Sequence, residues 1–277
     1  MSEATSVIKQ MGGVEVSKLK APFLHSKVER LAMRAGINKP RIFVIPDSTP
    51  NACAVGLSRE DSAVAVHTGL LNELDENEIE SVLAHEIGHI QKGHSIEKTE
   101  IAMRAMAIGI FSDIGARAIA TSDMDLTPGD NDSDDTISTL MKFGIGIAVT
   151  AAGTSIAENL MTTSSFRTEF EADECGAQFS KKPWALVSAL RKIEDFSKVG
   201  ANSFAPEVSQ LFIISPSYLN HQTHPETSER IRKLSGMSGM LPKVDSVATI
   251  FCPSCGEKTD EDGRFCYWCG GGISPTK

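Results

Sequence analysis

One short stretch constrains this chain more than any other: Val82-Leu-Ala-His-Glu-Ile-Gly-His89, in which two histidines stand four residues apart and a glutamate follows the first. Residues i and i+4 share one face of an α-helix, so His85 and His89 meet a single metal ion only if the stretch is helical. The flanks agree with a helix. Ile79, Val82, Leu83, Ile87 and Ile90 form an apolar stripe at helical spacing. Asp75 and Glu76 stand near the expected start, where the helix dipole favours acids, and Gly93 is a suitable stop. Such a helix has to face a core.

The residue types point to a chemistry. Imidazole nitrogens are good zinc ligands, and Glu86 is placed to act as a base towards a water at the metal, which is the equipment for hydrolysing a peptide bond. A catalytic zinc takes three protein ligands. The extended pattern HExxHxxGxxH would need glycine at 92 and histidine at 95, where the chain has Lys92 and Ser95. His94, five residues past His89, turns off the ligand face and reads as a polar helix-end residue. The other known solution takes a glutamate from a second helix, with an aspartate four residues on. Between residues 90 and 180 only Glu169 has that partner, Asp173. Glu169 is therefore the expected third ligand, and Asp173 the group that accepts a hydrogen bond from a ligand histidine and fixes its tautomer. The bland alternative is a solvated acidic face, which the nearby Glu171 and Glu174 would share.

The 277 residues suffice for one sizeable domain with a small module. A net charge of -9 argues against a nucleic-acid partner. The first residues lack the basic start and apolar stretch of a signal peptide, and the cysteine usage suits a reducing compartment, so a cytoplasmic location is expected. Residues 1–27 read as a pattern-poor arm, 28–235 as the main domain, 236–248 as a linker and 249–277 as the module. Arg41–Pro46, Asn51–Gly56 and Ser62–His67 read as buried strands, the last two as a hairpin over a polar turn. Residues 166–180, 184–199 and 226–234 read as helices. Residues 101–160 read as an inserted helical hairpin around an acidic loop, 121–135. Arg104, Asp113 and Arg117 interrupt its first arm, which makes packing on the domain or a peripheral membrane contact a better fit than a span. The fold class expected is α+β, mainly helical with a small sheet.

The module carries Cys252-Pro-Ser-Cys255-Gly and Cys266-Tyr-Trp-Cys269-Gly. Four thiolates can close a tetrahedral structural zinc site, giving a zinc ribbon and a second zinc per chain, with paired disulfides as the alternative. The ribbon is a candidate surface for a protein partner. Cys53 and Cys175 read as small buried hydrophobes.

Several ordered pieces resemble the HtpX-like zinc metallopeptidases, relatives of the CAAX prenyl-protease type. They are Asn51-Ala-Cys-Ala-Val-Gly56, Gly69-Leu-Leu71, the motif helix, Phe166-Arg-Thr-Glu-Phe-Glu-Ala-Asp173 and Thr223-His-Pro-Glu-Thr-Ser-Glu-Arg-Ile231. The resemblance covers roughly residues 28–235. It implies a zincin-type fold and endopeptidase activity on protein or peptide substrates. Phe166 and Cys53 depart from the family's serine and phenylalanine without touching a ligand. Its late segment makes His224 and Arg230 candidates for stabilising the tetrahedral intermediate, although Arg230 could instead pair with Glu226, four residues before it. Asn51, Ala52, Cys53 and Ala54 are candidates for holding an extended substrate by strand addition. An exopeptidase, or a non-catalytic zinc-binding adaptor, are the alternatives. Intact Glu86 weighs against the adaptor.

Overall fold

In the computed structural model, the described residues are 4–121, 142, 144–145, 147–153, 155–156, 166–199, 206–214, 224–237, 249–255 and 258–260. The elements run α1 (Ala4–Gln10), β1 (Val14–Glu15), α2 (Pro22–Ala35), β2 (Arg41–Ile45), β3 (Ala52–Gly56), β4 (Ser62–His67), α3 (Thr68–Glu73), α4 (Glu76–Lys92) and α5 (His94–Ala120). Then come α6 (Phe166–Ser180), α7 (Pro183–Val199), a 3-10 turn (Pro206–Leu211), α8 (Thr227–Met237), β5 (Thr249–Phe251) and β6 (Lys258–Asp260). The acidic loop expected at 121–135 falls, after Thr121, outside the described residues.

The main sheet has the order β1-β2-β4-β3. β3 and β4 form the expected antiparallel hairpin, while β2 lies parallel to β4. The strands are continuously apolar because both faces of the sheet are covered. Ile42, Ala52, Ala54, Val64 and Val66 alternate onto the face that packs with α2, α4, α6 and α7. Phe43, Ile45, Cys53, Val55, Ala63 and Ala65 turn the other way, towards α1, Ala102 of α5 and the 3-10 turn. Cys53 and Cys175 are indeed small core residues. The lead-in that reads as pattern-poor is packed: Val7 and Ile8 are buried, and β1 pairs with β2.

The motif helix α4 is fixed at both ends. The Asp75 side chain accepts hydrogen bonds from the Asn77 and Glu78 amides at 2.8 and 2.9 Å, and Glu78 accepts one from the Asp75 amide at 2.8 Å. Gly93, at φ 82°, closes the helix in the left-handed region that an L side chain resists. Further along α4, Glu80 is gripped from α2 and from the residue that precedes α7. It accepts hydrogen bonds from Arg30 of α2 at 2.7 Å and from Lys182, just before α7, at 2.8 Å, with Lys27 at 3.2 Å. Burial pushes the Glu80 carboxyl up, but these cations outweigh it and bring the group down to about 2. A folded value below the unfolded one gives stability that is complete above the unfolded value and lost as pH falls towards the folded one. Glu80→Gln should therefore melt earlier than wild type at neutral pH, and the gap should narrow from about pH 5 to about pH 3. A gap that stays constant across that window in thermal unfolding would contradict the assignment.

At the far end of the chain β5 and β6 form an antiparallel pair. Cys252 is buried, Cys255 is exposed, and the Cys252 sulfur accepts a hydrogen bond from the Ser254 amide at 3.3 Å. Cys266 and Cys269 lie outside the described residues.

Candidate metal centre

His85, Glu86 and His89 all lie on the buried length of α4 and are almost wholly enclosed. α4 packs most extensively against α6, and two glycines set how closely. A Cβ on Gly88 would stand 2.7 Å from the Cys175 Cβ, and one on Gly176 would stand 3.1 Å from the His85 amide nitrogen. The close approach brings Glu169, in the first turn of α6, opposite the two histidines.

The resulting triangle is compact. His85 Nε2 lies 3.1 Å from His89 Nε2 and 3.7 Å from Glu169 Oε2, and His89 Nε2 lies 3.4 Å from Glu169 Oε1. Ligand atoms about 2.0–2.2 Å from one tetrahedral zinc lie roughly 3.3–3.5 Å from each other, so the donors fit that ion. Among the described residues these three are also the group placed to share a metal. Glu169 Oε2, both oxygens of Glu86 and His89 Nδ1 are buried without a hydrogen-bond partner among the described residues. Leaving buried polar atoms unmatched is costly, and a metal with its water would satisfy the oxygens.

The surroundings orient the ligands. Asp173 Oδ1 lies 2.9 Å from His85 Nδ1, which leaves Nε2 free to face the centre. Arg230 of α8, 1% exposed, holds Asp173 with two donors, Nε to Oδ2 at 2.8 Å and Nη2 to Oδ1 at 2.7 Å. Its third donor, Nη1, reaches the Ile213 carbonyl at 2.6 Å. The Arg230 guanidinium is thus aimed at Asp173 rather than at Glu226. His224 is buried with Nε2 3.8 Å from Glu169 Oε1. His94 is the first residue of α5, after the break at Gly93; its ring packs edge-on against His89, with centroids 5.5 Å apart, and its Nε2 lies 3.3 Å from Glu171.

Charges follow this layout. Burial pushes the Glu86 carboxyl up to about 7, against the nearby cations Lys98 and Arg230. Burial would also raise Asp173 and Glu169. Arg230 outweighs it at Asp173, and the cations Lys98 and Arg230 outweigh it at Glu169, which is held well below the usual range. Burial brings His224 down to about 3, so its ring is neutral.

Two neighbours of the centre escape sequence reasoning. Lys98 of α5 is 3% exposed and donates a short hydrogen bond to Glu169 Oε1. In sequence it sits in His94-Ser-Ile-Glu-Lys98, which reads as an ordinary charged helix start. The other is the stretch 212–214. Phe212 bridges to Cys53 in antiparallel fashion, the Ile213 amide donates to the Ala52 carbonyl at 3.1 Å, and the Asn51 side chain bonds the Ile213 amide and the Ile214 carbonyl. The outer edge of β3 at Asn51, Ala52 and Cys53 is therefore engaged by the chain itself.

The model of peptidase family M48 matches residues 18–238. This chain belongs to peptidase family M48. Curated relatives described as "Protease HtpX homolog" support the assignment. The one from Pyrococcus furiosus is 36% identical over 225 residues, covering 79% of this chain and 74% of the relative. The one from Campylobacter curvus is 35% identical over 244 residues, covering 85% and 81%. Among solved structures, the crystal structure of S. mikatae Ste24p is similar at a TM-score of 0.46 and 20% identity; this chain covers 53% of its length. As a family member with a His/His/Glu centre, the M48 chain is a zinc metalloprotease. Among its described residues, no helix is long and apolar enough to cross a membrane.

Proposed function

We propose that this M48 chain is an endopeptidase that holds one catalytic zinc on His85, His89 and Glu169 and uses Glu86 as its general base. The observation that carries this is the triangle of donors beside a buried glutamate whose two oxygens have no hydrogen-bond partner among the described residues. When bound, zinc polarises a carbonyl and acidifies a water. Glu86 accepts the proton of the attacking water on a carboxylate oxygen and delivers it to the leaving amine nitrogen. Asp173 fixes the tautomer of His85, and Arg230 fixes Asp173. His224, a neutral ring in the same enclosure, is our candidate hydrogen-bond donor to the oxyanion. Arg230 gives three of its five N–H donors to Asp173 and Ile213, so its main part is to hold Asp173, with its charge as a further support for the oxyanion. The edge from Asn51 to Ala54 is our candidate for an extended substrate main chain, in the place that Phe212 and Ile213 now take.

The four cysteines 252, 255, 266 and 269 are assigned a second, structural zinc, supported by their spacing and by the turn at Cys252 to Ser254. The ribbon is then a candidate site for a protein partner. Ile110, Phe111 and Ile114 of α5, with Ile147, are exposed apolar side chains and support a peripheral contact of the 101–160 region with a membrane.

The deciding experiment measures zinc content and casein cleavage, with the products read by mass spectrometry. Two zinc ions per chain are expected, with internal fragments that disappear on chelation and return with added zinc. Release of single terminal residues would replace the endopeptidase with an exopeptidase. Full zinc loading with no cleavage of casein or of unfolded proteins would favour an adaptor.

A further inference from the structure

Lys98 is an unusual neighbour for a metal ligand. It comes from α5, not from either ligand helix, and its side chain is almost wholly buried. Its backbone is pinned: the Lys98 carbonyl accepts a hydrogen bond from Gln210 at 3.2 Å. Next to it, the Thr99 hydroxyl accepts one from the Gly56 amide at 3.1 Å and donates to the Ser95 carbonyl at 2.6 Å. The ammonium is thus carried from a pinned backbone, and it donates to one oxygen of Glu169, Oε1, which also lies 3.4 Å from His89 Nε2. The other oxygen, Oε2, has no hydrogen-bond partner among the described residues; it faces His85 Nε2 and Arg230 Nη1, each at 3.7 Å.

We propose that Lys98 is a positioning residue for the metal centre: by holding Glu169 Oε1 it presents Oε2 to the zinc as a single-oxygen ligand. This rests on the assignment of His85, His89 and Glu169 as ligands. The physical need is plain. A carboxylate with two free oxygens can rotate, chelate through both or retreat, whereas one oxygen tied to a fixed cation leaves the other a defined direction. Asp173 plays the same part for His85, with Oδ1 2.9 Å from Nδ1. A charge-assisted hydrogen bond is strong enough for the task, and loss of such a supporting partner typically weakens metal affinity about 10- to 100-fold. The opposing effect is repulsion between the ammonium and the metal. If repulsion won, removing Lys98 would tighten binding, so the sign of the change separates a support from a competitor.

The test is competition with a chromophoric chelator on the full chain. Wild type, Lys98→Met, Lys98→Arg and Glu169→Gln are compared, and each is also loaded with cobalt. Thiolate-bound cobalt at the cysteine site absorbs strongly through its sulfur ligands, which distinguishes it from cobalt on His/His/Glu. Lys98→Met should lose about 10- to 100-fold in affinity at the nitrogen–oxygen site and change its cobalt spectrum there, with the cysteine site unmoved. Lys98→Arg should recover part of the loss, which a merely structural role would not require. Unchanged or tighter binding in Lys98→Met overturns the proposal. Unchanged binding in Glu169→Gln overturns instead the ligand assignment beneath it. Should Lys98→Met fail to fold, a crystal structure of the zinc-loaded wild type decides: Lys98 on the non-coordinating oxygen of Glu169 supports the proposal, and two-oxygen coordination or a displaced Lys98 refutes it.

Discussion

Glu86→Gln is expected to keep its zinc and lose hydrolysis. Glutamine has nearly the same shape but cannot accept the proton of an attacking water, and general-base contributions are worth about 10²- to 10⁴-fold in rate. The loss should fall on kcat, with KM little changed, because the side chain acts on the attacking water and is not one of the donors of the triangle. Zinc content should match wild type, since Glu86 is not among the three donors placed to share a metal. Stability supplies a second readout. In the metal-free protein, burial pushes the Glu86 carboxyl from the ordinary 4.5 up to about 7, so the folded chain resists ionising it; stability falls as pH rises between those two values, and the loss is complete above about 7. The glutamine variant has no such group to ionise, and above neutral pH its metal-free form should melt no earlier than wild type. Turnover within tenfold of wild type would remove Glu86 from the chemistry.

Arg230→Met should produce the largest loss of stability among single changes near the site. The guanidinium is fully enclosed and makes two hydrogen bonds to Asp173 and one to Ile213. Burial works against its charge, but Asp173 and Glu169 hold that charge firmly in place. Removing one partner of a buried ion pair strands the other, at a cost of about 3–5 kcal/mol. That is a large fraction of the roughly 5–15 kcal/mol that keeps a domain folded, and amounts to about 10 °C in Tm for a chain of this size. Zinc affinity should fall as well, because an unpaired Asp173 no longer holds His85 in one orientation. The double variant Arg230→Met, Asp173→Leu should regain stability without regaining zinc affinity. If both quantities returned together, the pair would serve the fold only. Calorimetry and chelator competition measured on the same samples distinguish the two.

Legibility in the sequence varied with how local each signal was. The motif helix, α6 and α7 were legible because their stripes and boundaries lie within one or two turns, and the Glu169 and Asp173 spacing is a property of one helix. The three central strands were legible as apolar runs. Their order was not, since the parallel pairing of β2 with β4 depends on which faces the surrounding helices cover. The short α1 and β1 lack the length to show a period, although Val7 and Ile8 belong to the core. Lys98 reaches Glu169 across 71 residues of chain, and nothing around it in sequence reports that distance. The same holds for Phe212 and Ile213, whose pairing with β3 is a main-chain contact that side-chain identity does not encode.

Gly88 and Gly176 carry a consequence for how this catalyst can change over time. Each lies where two helix backbones touch, so the width of the ligand triangle is set by contact between main chains, much as a shim sets the gap between two plates. Repacking elsewhere in the core can be absorbed by adjusting side chains, because those are deformable. A methyl group at Gly88 meets Cβ and main-chain atoms of the facing helix, which have little freedom to retreat. Drift at these two positions would therefore pass directly into the separation of Glu169 from the histidines. The distal half of α5, exposed at Ile110, Phe111 and Ile114, makes no such contact and can accept change more readily.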